Sequence, residues 1–212
     1  MTVDLVIVGC GGHGREVFGI VAAANDAARQ PGWRVLGFVD DDPSPVNRDR
    51  VARLGAAYLG PCDALARTGG YYVVGIGDPR VRRAVARRID PLGRPAPALV
   101  HPAATVGAAT ALGDGTVVFA GARITTNVTV GRHVHINQNA TVGHDTVLAD
   151  HVSVHPLAAV SGDCHIEAAA LVGTTAAVLQ GRRVGEAAVV GAGACVVRDV
   201  SPGAVVKGVP AR

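Results

Sequence analysis

The chain has 212 residues, enough for one large domain or two small ones. Aromatic residues make up 3% and glycine occurs 28 times, which excludes a core built on Phe, Tyr and Trp and calls for aliphatic side chains in a regular, narrow space. A net charge of +3 carried by scattered arginines argues against nucleic acid as a partner. Four widely spaced cysteines (Cys10, Cys62, Cys164, Cys195), with no CxxC pair, fit reduced thiols better than a disulfide frame.

Residues 1 to about 95 alternate strand and helix signals. The start, MTVDLVIVGCGG, reads as a first β-strand and not as a signal peptide. REVFGIVAAAND after it has helical spacing, and WRVLGFVDDD is a second strand ending in acids. ALART reads as a short helix, YYVVGIG as a third strand and DPRVRRAVARRI as a basic helix with proline in its first turn. This order predicts a small Rossmann-like βαβαβ unit with a parallel sheet in three layers. No run approaches membrane-spanning length, so a soluble, cytoplasmic protein with no membrane partner is expected.

Between the first strand and helix, Gly9-Cys10-Gly11-Gly12-His13-Gly14 forms a G-x-G-x-x-G, whose backbone N–H groups can approach a phosphate at a helix N-terminus. Asp40 and Asp41 end the second strand, where a ribose or base would be held. A dinucleotide would need a second mononucleotide half that is missing here, so a sugar-linked nucleoside diphosphate fits better. A glycine turn with no ligand is the remaining alternative.

PLGRPAPALVHP joins this unit to a six-residue repeat, expected over 96–212. Stepping by six from Val100 gives Val106, Leu112, Val118, Ile124, Val130, Ile136, Val142 and Leu148, and then Val154, Val160, Ile166, Val172, Val178, Val184, Val190 and Val196. Seventeen aliphatic residues thus recur without a slip. Small residues such as Ala122, Ala140 and Ala158 sit four places further on, and glycine often follows the aliphatic directly. The pattern predicts a solenoid of short strands, three hexads per coil, with each aliphatic stacked about 4.8 Å above the one eighteen residues earlier. Small residues are expected at the inward corners for lack of room.

Five histidines crowd one stretch: His133, His135, His144, His151 and His155. His133, His151 and the more distant His165 are read as idle surface residues. Three histidines could hold zinc, but the spacing picks out no triad and no metal is expected. His144 and Asp145 occupy the turn after Val142, where the carboxylate can fix the imidazole tautomer and leave the other nitrogen as a general base. Asn137 and His155 follow their aliphatics directly and lie eighteen residues apart, so they stack on one outward face, away from His144. Joint action of the two sets points to a meeting across a subunit boundary, which a C3 trimer with sites in its clefts would supply.

At these residues the chain resembles the sugar-nucleotide acyltransferases typified by NeuD and PglD. The likeness rests on VGCGGHGREV, FVDDDP, VGIGDPRVRR, INQNATVGHD and the closing SPGAVVKGVPAR. It implies a left-handed parallel β-helix, a homotrimer and acetyl-CoA as co-substrate. His144 would be the catalytic base with Asp145 its partner, and Asn137 and His155 would flank the acetyl group and acceptor. Gly11, Gly12, His13, Asp40, Asp41, Gly77 and Arg82 would contact the nucleotide, and Gly173, Ala192, Arg198 and Lys207 would serve CoA. The implied acceptor is the amino group of a UDP- or dTDP-linked 4-amino sugar. The alternatives are a hydroxyl of a sialic-acid-like sugar or, in another class, a γ-carbonic-anhydrase-like zinc enzyme.

Overall fold

A computed structural model describes residues 2–28 and 32–212. The first part of the chain is a four-stranded parallel sheet in the order β3-β2-β1-β4, built from β1 (Val3–Val8), β2 (Trp33–Val39), β3 (Tyr58–Gly60) and β4 (Tyr71–Val74). Its helices are α1 (Gly12–Ala27), α2 (Pro45–Arg53) and α3 (Pro79–Ile89). β1 shows why both faces are covered: Leu5 and Ile7 pack with Val17 and Ile20 of α1, while Val6 and Val8 pack with Ala86 and Ile89 of α3. Three strands were expected and four are found. α2 and β3 were missed, and ALART forms part of a 3-10 helix (Cys62–Arg67). α2 is capped by Ser44, whose hydroxyl accepts from the Asn47 N–H, with Pro45 in the first turn. It buries only Val51, so its apolar periodicity is weak.

Eighteen two-residue strands follow, β5 (Leu99–Val100) through β22 (Val205–Val206), and they form a left-handed parallel β-helix with three faces of seven, six and five strands. Partners lie eighteen residues apart, as in Ile136 with Val154 and Val142 with Val160. From Val118 to Val196 the stepped aliphatics form one continuous buried column. The corner is roomier than the composition implied, because Val128, Val134 and Val152 are buried where only small residues were expected. After Val196 the register shortens: Val206 pairs with Val190, sixteen residues back.

Two kinds of turn position emerge. From Val106 to Val190 the third residue after the aliphatic is left-handed, with φ near 53–62° at Asn127, His133, Asn139, Asp145, His151 and Asp163. Asn, Asp and His tolerate this conformation better than most side chains. The glycines directly after the aliphatics have a different cause. At Gly143 and Gly173 a β-carbon would run into the backbone of the next coil, so close coil-to-coil approach requires them.

The α/β unit covers the outward side of the seven-stranded face. Leu99, Val117 and Phe119 of the solenoid share a core with Leu5, Val17 and Ile20. Arg82 of α3 fastens the joint. It is fully buried, and its guanidinium donates to the carbonyls of Ile76, Gly77, His133, His151 and Val152 and to Ser153 Oγ, at 2.7–3.1 Å.

Candidate active site

Two cavities meet at the joint. One, of about 480 Å³, is lined by Gly9, Gly11, Gly12, His13, Asp40, Asp41, Asp42, Gly75 and Gly77 among others. Gly11 caps α1, so the first free N–H groups of that helix open onto this space. Asp40 accepts from the Cys10 and Asp42 N–H groups, which holds the glycine turn against the end of β2. Asp41 is bound to Arg88 and to the Cys62 N–H, and the Arg88 guanidinium keeps its carboxyl below the usual range.

The second cavity, about 430 Å³, is lined by His13, Glu16, Gly77, Asp78, Asn137, Gln138, His155, Pro156 and Leu171. Asn137 and His155 follow strands of the seven-stranded face, one coil apart, as their spacing required. Asn137 is more enclosed than expected: it is 6% exposed, and its side-chain amide donates to the Val154 carbonyl. Gly173 and Lys207 continue the same corner toward the late coils. Gly173 is buried, while Ala192, Lys207 and Arg198 are exposed. Arg198 follows the six-stranded face and belongs to the other corner, below His144.

His144 also leaves the six-stranded face, so it stands on a different corner from Asn137 and His155. Its Nδ1 lies 2.6 Å from Asp145 Oδ2. Asp145 accepts in addition from Asn127 Nδ2 at 2.6 Å, and these two bonds, Asn127 first, hold its carboxyl below its ordinary value. An ionised carboxylate can only accept, so the neutral form of His144 has its proton on Nδ1 and Nε2 bare. The imidazole lies directly over Gly162 of the next coil, where a β-carbon would collide with the ring. Neither Asn127 nor Gly162 was singled out from sequence. Both lie eighteen residues from the pair, Asn127 before Asp145 and Gly162 after His144, and the coil spacing alone would have found them. Gly162→Ala should displace the ring and cut kcat about tenfold to a hundredfold with little loss of stability, measured by steady-state kinetics beside thermal melting.

Two sequence expectations need correction. Arg82, assigned to the nucleotide, directs its donors to the interdomain joint. His133 and His151 are not idle surface residues: His133 is fully buried and the two rings stack 5.3 Å apart beside Arg82. The reason is the docked α/β unit, which covers that corner. His165 is exposed. Among the described residues, no group of three His, Cys, Asp or Glu side chains is placed to hold a metal ion. No described helix is long and apolar enough to cross a membrane.

The buried rings carry a pH signature. His13, His133 and His151 are pulled down to about 4, and His135 well below its ordinary value, in each case chiefly by burial. They are neutral when folded, whereas in the unfolded chain they protonate near 6.5. Stability is therefore complete above about pH 6.5 and falls as pH drops toward 4, on the order of 1 kcal/mol per pH unit for each enclosed ring. Denaturant midpoints at pH 7.5, 6 and 5 check this; a flat profile would contradict the burial of these rings.

Known proteins share this fold. A family model described as the PglD N-terminal domain matches residues 4–89. The chain is 31% identical to a histidine-to-asparagine variant of perosamine N-acetyltransferase from Caulobacter crescentus in complex with CoA and GDP-perosamine (TM-score 0.89, covering 99% of this chain and 95% of that one). It is 30% identical to the acetyltransferase domain of PglB from Neisseria gonorrhoeae FA1090 in complex with acetyl coenzyme A (TM-score 0.86, covering 100% and 99%). WeeI from Acinetobacter baumannii AYE is 25% identical (TM-score 0.85, covering 100% and 99%). No curated protein sequence matches significantly. With these matches over its whole length, the chain is a sugar acetyltransferase. The chain belongs to the hexapeptide-repeat sugar acetyltransferase family.

Proposed function

We propose that the chain transfers the acetyl group of acetyl-CoA to the amino group of a nucleoside-diphosphate-linked amino-deoxysugar. The observation that carries this reading is the His144–Asp145 pair, 2.6 Å apart and exposed on a solenoid corner, with Nε2 left as a base. The amine attacks the thioester carbonyl carbon, His144 Nε2 takes the amine proton, and the C–S bond breaks to release the CoA thiolate, which is then protonated. The nucleotide lies in the cavity at the α1 N-terminus, its diphosphate on the Gly11 and Gly12 side and its nucleoside toward Asp40 and Asp41. The sugar extends past His13 and Gly77 toward Asn137 and His155. CoA follows the corner that runs from there past Gly173 and Ala192 to Lys207, with Arg198 meeting a phosphate from the other corner.

His144 and the Asn137–His155 column leave different faces of the same solenoid. This supports a homotrimer in which one chain supplies the base and its neighbour the acceptor cavity. The enzyme acts in the cytoplasm, where acetyl-CoA is available. UDP- and dTDP-linked 4-amino sugars are the first acceptors to test, beside the GDP-linked form, because a relative was crystallised with GDP-perosamine. NMR of the products locates the acetyl group. The reading predicts an amide on one of these amino sugars and no ester on their hydroxyl analogues; ester formation alone would favour transfer to a hydroxyl.

A further inference from the structure

His13 and Gly77 are the two residues shared by both cavities, which places the His13 ring where nucleotide gives way to sugar. The ring does not stand alone. Its Nε2 lies 2.7 Å from Nδ1 of His135, on the solenoid, within hydrogen-bond geometry, and the ring planes are 15° apart. Burial, chiefly, pulls both rings toward the neutral form, so each carries one proton and one bare nitrogen. One nitrogen of the pair donates and the other accepts.

Two observations decide which. The far nitrogen of His135, Nε2, is buried with no partner. If His135 accepted at Nδ1, that enclosed Nε2 would carry an N–H with no acceptor; if it donates from Nδ1, Nε2 holds only a lone pair. Orphaned buried N–H groups are the rarer case. The far nitrogen of His13, Nδ1, lies 3.8 Å from the Glu16 carboxylate, which also favours a proton there. We propose that His135 is a positioning residue: it donates to His13 Nε2 and so fixes His13 as the Nδ1–H tautomer, a neutral donor for the diphosphate of the bound sugar nucleotide. This rests on the proposed function for the diphosphate, but not for the tautomer. An imidazole free in water has no such constraint. Here the solenoid selects the donor that the α/β unit presents, and the two domains build one phosphate site in common with the N-terminus of α1.

Long-range 1H–15N spectra of protein labelled at histidine nitrogen read the tautomer directly, the His13 signal being the one lost in His13→Gln. The expected result is a proton on Nδ1 of His13; a proton on Nε2 overturns the proposal. Titration with UDP and GDP reads the consequence. His135→Leu should weaken the better-bound nucleotide about tenfold and raise KM for the sugar nucleotide with kcat little changed. His135→Asn, whose side-chain amide can donate from the place of the lost Nδ1–H, should restore most of the affinity. A His135→Leu protein that binds nucleotide like the wild type overturns the proposal, as does an asparagine variant no better than the leucine one. If the wild type binds neither nucleotide, the diphosphate role falls together with the proposed function, while the spectrum still reads the tautomer.

Discussion

Replacing His144 by alanine is expected to lower kcat about 10²- to 10⁴-fold while leaving acetyl-CoA affinity and thermal stability unchanged. The ring stands half exposed on a corner, outside the buried apolar column, so removing it leaves no cavity. What disappears is the acceptor for the amine proton. Asp145→Asn should cost less, because the ring survives but loses the charge that sets its tautomer and steadies the imidazolium. Asn127 limits the damage in that variant only if its own amide turns to match. Acetyl-CoA turnover over a range of amine concentrations, beside calorimetric binding of CoA, checks both variants. A His144→Ala enzyme within tenfold of the wild type would mean that another group takes the proton.

Arg82→Met is expected to destabilise the protein by about 3–5 kcal/mol. Among the described residues no carboxylate lies at bonding distance from Arg82; its charge is met by backbone carbonyls from the loop after β4 and from two coils of the solenoid. Burial, partly offset by Asp78, brings its guanidinium down to about 9, so it stays charged at neutral pH. Methionine fills much of the same space but takes away the donor that the Ile76, His133 and His151 carbonyls receive in a closed joint, while Val152 and Gly77 keep theirs from the His135 N–H and Ser153 Oγ. Arg82→Lys keeps the charge and offers fewer donors, so it should fall between the two. Urea unfolding followed by tryptophan fluorescence measures this, with Trp33 in the α/β unit as the reporter. A loss below 1 kcal/mol would mean that the other contacts across the joint hold the domains, among them the apolar ones of Leu99, Val117 and Phe119 and the Arg83–Glu186 and Arg132–Asp90 pairs.

The solenoid was legible because its core obeys a strict local rule: one aliphatic every six residues, from Val100 to Val196. The His144–Asp145 pair was legible because its members are neighbours in the chain. The joint was not. His133 and His151 read as surface residues because a coil by itself leaves that corner wet, and only the docked α/β unit covers it. Nothing in the basic run of α3 separates Arg82, which turns inward, from Arg87 and Arg88 on the same helix. β3 is three residues long, too short to show a period. The eighteen-residue coil joins Asn127 to Asp145, His133 to His151 and Asn137 to His155.

Thiol release from acetyl-CoA, followed while a nucleotide-linked amino sugar is varied, tests the central claim most directly. The account predicts saturable release that needs the amino group, yields one acetamido product per thiol and collapses in His144→Ala. Release that ignores the amino sugar, or no release with the UDP-, dTDP- and GDP-linked forms, would contradict it.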